Sequence, residues 1–136
     1  MSGINWKYNN DSKSRIFWST SSDYYTYLEK LLIDFEFKFN QSLGEQTSEF
    51  QLLDEQIEFL VNELEIRIEK LLLNFNPEVS GGLTSISNEY KGKKYDFFIK
   101  MSENHSRINR LIKFHKFLSD SLNNEKEVLF WGGKIE

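Results

Sequence analysis

No cysteine occurs in the 136 residues, and proline occurs once. Without cysteine there is no disulfide framework, thiolate zinc site, iron–sulfur cluster or cysteine nucleophile. Apolar runs stop at four residues, as in Val128-Leu129-Phe130-Trp131, which is far short of the length a membrane-spanning helix needs. The opening residues Met1-Ser2-Gly3-Ile4-Asn5-Trp6 have neither the basic start nor the apolar stretch of a secretory signal. A soluble, cytoplasmic protein is the expectation. Neither a His-Glu-x-x-His element nor the Gly-Lys-Ser/Thr ending of a phosphate loop is present.

Aromatic residues, by contrast, are abundant. Twelve Phe, six Tyr and three Trp are too many for a disordered chain. A chain of this length is expected to form one domain that buries roughly two-thirds of its unfolded surface.

Hydrophobic spacing predicts three helices. In the first, over 23–43, Tyr24, Leu28, Leu31, Leu32, Phe35 and Phe39 recur at intervals of three and four. Ser22 or Asp23 can cap its start, and Gly44 suits its end. A competing pattern exists here. Ile33, Phe35, Phe37 and Phe39 alternate strictly with Asp34, Glu36, Lys38 and Asn40, the period of a half-buried strand. The second helix, over 47–75, has the strongest signal: Phe50, Leu53, Ile57, Leu60, Leu64, Ile68, Leu71 and Phe75, close to a heptad repeat. Thr47 or Ser48 can cap it, and Pro77 follows it. A third helix is read over 93–122 through Phe97, Phe98, Met101, Ile108, Leu111, Ile112, Leu118 and Leu122. Residues 1–22 read as an irregular arm in which Arg15–Trp18 is a short strand or an extended segment. The apolar tail, 125–136, is expected to pair with Arg15–Trp18 or to cover an open end of the bundle. The fold class is therefore all-α: one domain over 1–136, an antiparallel, coiled-coil-like bundle of three long amphipathic helices with short extended termini. The alternative is α+β, if 33–40 is a strand.

Charge is segregated beneath the net −4. Residues 45–70 hold eight acidic and two basic residues, a local −6; residues 91–116 hold eight basic and two acidic, a local +6. Two readings follow. The segments pair with each other, which favours one packing over its alternatives, or one face stays open to a partner.

The remaining chemistry is sparse. Asp54/Glu58 and Glu65/Glu69 stand four apart, and Glu55/Glu58 three apart, as on a solvated helix face. A bundle di-metal site would also need Glu-x-x-His on two helices, and none occurs. His105 and His115 lie about 80° apart around a helix and roughly 15 Å apart along it, so they cannot share a metal ion. Each reads as a partly buried, hydrogen-bonded histidine. Ser80–Ser85, with Gly81-Gly82, reads as a flexible connector. Lys91-Gly92-Lys93-Lys94-Tyr95 is a basic cluster beside an aromatic, suited to phosphate contact and base stacking. A three-helix bundle needs one apolar stripe per helix, so Phe37, Phe114 and Phe117 are surplus, to be covered by the termini or by another chain.

The function these features favour is non-catalytic protein–protein interaction, inhibitor-, immunity- or adaptor-like. It would use Asp54, Glu55, Glu58 and Glu65 with Phe37, Phe114 and Phe117 to bind a basic partner or a second copy as a homo-oligomer. The alternative is nucleic-acid binding through Lys91, Lys93, Lys94, Arg107, Arg110 and Lys113. No cofactor, metal or membrane association is expected.

Overall fold

The structure, a computed structural model, describes residues 2–8, 11–19, 23–41, 50–76, 85–98, 103–125 and 127–134. The elements are β1 (Ser2–Tyr8), β2 (Asp11–Ser19), α1 (Asp23–Phe39), β3 (Phe50–Gln51), α2 (Asp54–Leu72), β4 (Ile86–Tyr90), β5 (Lys93–Phe97), α3 (Glu103–Asn123) and β6 (Val128–Lys134). Helices hold more residues than strands, but the expected all-α bundle is not what forms. A four-stranded sheet in the order β2-β1-β6-β3 and a two-stranded sheet, β4-β5, make the fold mixed. Residues 33–39, where the two periodicities competed, are helical; the strands lie elsewhere. The chain divides into two compact units, residues 1–63 with 117–136 and residues 64–116, so that α2 and α3 each run from one unit into the other.

In the first unit the arm read as irregular is a hairpin. β1 pairs antiparallel with β2 on one side and with β6 on the other. The tail therefore pairs with β1, not with Arg15–Trp18. Trp6 and Tyr8 are buried, with the partly exposed Lys7 between them, as alternation in a strand requires. Val128, opposite Tyr8 in the register, is buried too. The Tyr8 hydroxyl donates to the Phe117 carbonyl at 2.6 Å, and its ring stacks on that of Phe117 at 4.3 Å. Burial, reinforced by the Asp120 carboxylate, pushes the phenol up to about 12.

α1 buries Leu28, Leu31, Leu32 and Phe35, one stripe at helical spacing. Phe35 and Phe39 meet Phe59 of α2 at 6.2 and 5.6 Å between ring centroids. α2 starts later than the spacing predicts. Phe50 lies in β3, opposite Phe130 of β6, and Leu53 is exposed. The Leu53 N–H donates to Gln56 Oε1 at 2.9 Å, while its carbonyl accepts from the Gln56 and Ile57 N–H groups. This is one half of a capping box, made by the third helical residue reaching back. The buried Gln56 amide also donates to Gln41 Oε1 at 2.9 Å, tying the helix start to the chain beyond α1. Gly44, Thr47, Ser48, Pro77 and Gly81-Gly82 lie outside the described residues.

In the second unit, Lys93–Phe97 is a strand and α3 begins only at Glu103, which corrects the helix read over 93–122. β4 and β5 are joined by Lys91 and Gly92, whose φ angles of 48° and 81° are both positive. That is the signature of a two-residue type I′ turn. The hairpin alternates over most of its length, with Ile86 and Lys93 exposed at the first position of each strand. Ser87, Glu89, Lys94 and Asp96 are exposed, while Asn88, Tyr90, Tyr95 and Phe97 are partly or fully buried. Asn88 donates to Asn109 of α3.

His105 closes this unit. It is 1% exposed. Its Nδ1 accepts the Phe98 N–H at 3.0 Å, and its Nε2 lies 2.7 Å from the Asn76 carbonyl. An acceptor at Nδ1 leaves the proton on Nε2, which then donates to Asn76. One ring thus bonds to backbone groups from the segments after β5 and after α2. Phe75 packs on it at 4.7 Å. The variant His105→Phe keeps a ring there but removes the acceptor of the half-buried Phe98 N–H and the bond to the exposed Asn76. Urea unfolding should show a loss of about 1–3 kcal/mol, the cost of one orphaned donor away from water. A change below about 0.5 kcal/mol would mean that these bonds do not hold the unit together.

Candidate functional site

A group of titratable side chains gathers in the second unit, where α2, the β4–β5 turn and α3 meet. The type I′ turn places Lys91 at the hairpin tip, with its ammonium 3.0 Å from Glu65 Oε1 and 3.8 Å from Glu69 Oε1. Glu65 and Glu69 stand on one face of α2, four residues apart. His115 of α3 brings Nε2 to 3.8 Å from the same Glu65 oxygen. The Tyr90 ring meets the His115 ring edge-on at 5.2 Å, and the Lys91 ammonium lies 5.7 Å from the Tyr90 centroid.

Two polar atoms of this group, Tyr90 Oη and His115 Nε2, are buried without a hydrogen bond of normal geometry. Burial, with the carboxylates of Glu69 and Glu65 beside it, pushes the Tyr90 phenol far up and keeps it protonated. The hydrogen bond that its ammonium donates to the Glu65 carboxylate raises Lys91 and fixes it as a cation. Burial lowers His115, aided by Lys91 and opposed by Glu65 and Glu69, so the ring is neutral at pH 7. An ammonium held charged and a phenol held protonated are poor nucleophiles. The group combines a fixed cation, two carboxylates and a neutral imidazole. Among the described residues, no set of three or more His, Asp or Glu side chains can hold a metal ion.

The first unit presents a different surface. Asp54, Glu55 and Glu58 are exposed at the start of α2, and no ion pair engages them among the described residues. Leu53, 57% exposed, precedes them. On α1, Ile33 and Phe37 stand one turn apart and are 58% and 92% exposed.

The structure separates the residues singled out in the sequence. Phe37 is open, but Phe114 and Phe117 are 0% and 8% exposed; they are core residues, and an apolar partner surface cannot include them. Glu65 is engaged by Lys91 and is 22% exposed, so it is not a free acidic side chain. The proposed basic surface is dispersed as well. Lys91 belongs to the turn and faces Glu65 and Glu69. Lys93 lies 5.2 Å from the Tyr95 ring centroid. Lys94 stands opposite Glu89 in the hairpin register. Arg107 and Arg110 are half-buried and already have partners, and Lys113 is exposed on α3. Tyr90 and His115 as neighbours of Lys91 were missed. The available signal was Tyr90-Lys91-Gly92-Lys93, two residues with glycine second, flanked by alternating side chains.

Comparison with protein-family models, curated proteins and solved structures finds no match to this chain. Among the described residues, no helix is long and apolar enough to cross a membrane.

Substitution separates the two kinds of phenylalanine. Phe114→Ala should cost about 3–5 kcal/mol, as for a large side chain removed from a packed core, whereas Phe37→Ala should stay within about 0.5 kcal/mol of wild type. Chemical denaturation of both variants reads this directly. Equal losses would show that Phe37 is covered within the monomer.

Proposed function

We propose that the chain is a non-catalytic, cytoplasmic binding protein that engages a basic partner protein, in the manner of an inhibitor, immunity protein or adaptor, through the outward face at the start of α2. The supporting observation is a run of three exposed carboxylates, Asp54, Glu55 and Glu58, unpaired among the described residues and preceded by the exposed Leu53. Asp54 and Glu55 have an internal use, because the first helical turn carries partial positive charge that favours anions. Glu58 lies beyond that turn and has none. A field from uncompensated carboxylates steers a cationic partner and sets its orientation. Glu65 is left out of this surface, since its charge is matched within the chain by Lys91.

Nucleic-acid binding has less support. Its residues are split between β5, the turn and α3, and Lys91, Arg107 and Arg110 are engaged. The chain as a whole carries −4.

Native capture from a lysate, with the retained protein identified by mass spectrometry, should yield a basic protein. Its affinity should fall by about tenfold or more in the triple variant Asp54→Lys/Glu55→Lys/Glu58→Lys and weaken with salt. Because Asp54 and Glu55 sit at the positive end of α2, the variant loses some stability, so circular dichroism must show that it is folded at the binding temperature. Glu58→Lys alone should weaken binding in the same direction. Equal binding by the triple variant, or a protein that is strictly monomeric and retains nothing, would defeat the proposal.

A further inference from the structure

We infer that Glu65, Lys91 and His115 form an acid-sensitive latch on the β4–β5 turn: proton uptake at His115 Nε2 transfers the Glu65 carboxylate from Lys91 to the imidazolium and frees the turn. Three observations carry this. First, Glu65 Oε1 lies between both nitrogens, 3.0 Å from Lys91 Nζ and 3.8 Å from His115 Nε2. A shift of about 1 Å converts the longer distance into a charge-assisted hydrogen bond. Second, Nε2 is buried without a hydrogen bond, and Glu65 is the carboxylate beside it. Third, Lys91 is a non-glycine residue at φ 48°, a backbone conformation that a side chain disfavours. Its ammonium holds the tip of the hairpin against α2. When Glu65 turns to His115, Lys91 keeps only Glu69, at 3.8 Å.

The charges favour the exchange. With His115 neutral, the group sets two carboxylates against one ammonium; with His115 protonated it balances. The groups facing His115 are Glu65 and Glu69 from α2 and Tyr90 and Lys91 from β4 and its turn. On its own helix, Lys113 and Lys116 are exposed. Burial outweighs the carboxylates and holds His115 below its ordinary 6.5. For a group lowered in the folded state, the stabilisation is complete above the unfolded value and is lost as pH falls through the folded one. The latch is therefore closed at neutral pH and opens on acidification.

Backbone amide exchange by NMR, corrected for the intrinsic pH dependence, tests the latch at Tyr90–Lys93, alongside the titration of the His115 ring. Hairpin opening should be about threefold or more faster near pH 5 than near pH 7.5, and this increase should vanish in His115→Gln. Lys91→Met, a change at an exposed position, should raise the His115 midpoint by about half a unit or more, and Glu65→Gln should lower it. Titration of His115 without faster opening, faster opening that persists in His115→Gln, or a midpoint unmoved by Lys91→Met would each overturn the inference.

Discussion

Two consecutive residues of positive φ, Lys91 and Gly92, decide what residues 64–116 can build. A type I′ turn matches the twist of the strands it joins, so it fixes the register at Tyr90 opposite Lys93. Everything inward of the turn then follows by alternation. Asn88 and Tyr95 share one face, as do Tyr90 and Lys93, and Ile86 and Phe97. A slip of one residue would send Glu89 and Asp96 inward. Glycine accepts the second position without cost, and open space surrounds it. Lysine accepts the first at a cost, and that same lysine reaches the carboxylates of α2. Backbone geometry and electrostatics thus meet at one residue, which is why the titratable cluster gathers there.

Much of the helical structure was legible because helix periodicity is local. Leu28, Leu31, Leu32 and Phe35 on α1, and Ile57, Leu60, Leu64 and Ile68 on α2, are buried. The strands were less legible, although their period was present. Ile4, Trp6 and Tyr8 alternate with Asn5 and Lys7, but a segment rich in Asn and Ser reads as loop until a partner strand is known. One partner, β2, follows directly, but the other, β6, lies more than a hundred residues away. Helix ends were misplaced where apolar residues of a strand fell by coincidence on helical spacing. Phe50 and Leu53 extend the α2 pattern backward, and Phe97 and Met101 extend that of α3. Gly92 arbitrates the second case in favour of a hairpin.

The candidate site was legible only in pieces, for the same reason. Glu65 reads as part of an acidic helix face and Lys91 as part of a basic cluster. Their pairing is long-range and depends on a turn, Lys91-Gly92, that stands just before the helix expected over 93–122. Phe114 and Phe117 looked surplus because one stripe was assigned to α3. That helix buries Ile108 and Ile112 together with Leu111, Phe114, Phe117 and Leu118, a wider face than a three-helix bundle asks for.

The opposite charges of residues 45–70 and 91–116 meet at Lys91 with Glu65 and Glu69, while Asp54, Glu55 and Glu58 have no ion pair among the described residues. Exposed ion pairs contribute about 0–1 kcal/mol, so stability alone does not select eight acidic residues in one stretch. Like charges at helical neighbours, such as Asp54 with Glu58 and Glu55 with Glu58, are unfavourable by roughly 0.2–0.5 kcal/mol each. The positive end of α2 offsets this for the first-turn residues and not for Glu58. That repulsion is relieved further along α2, where Lys91 supplies the cation from within. Carboxylates are therefore balanced around Glu65 and Glu69, while those of Asp54, Glu55 and Glu58 have no ion pair among the described residues, so the two ends of one helix differ in charge compensation although their sequence pattern is the same.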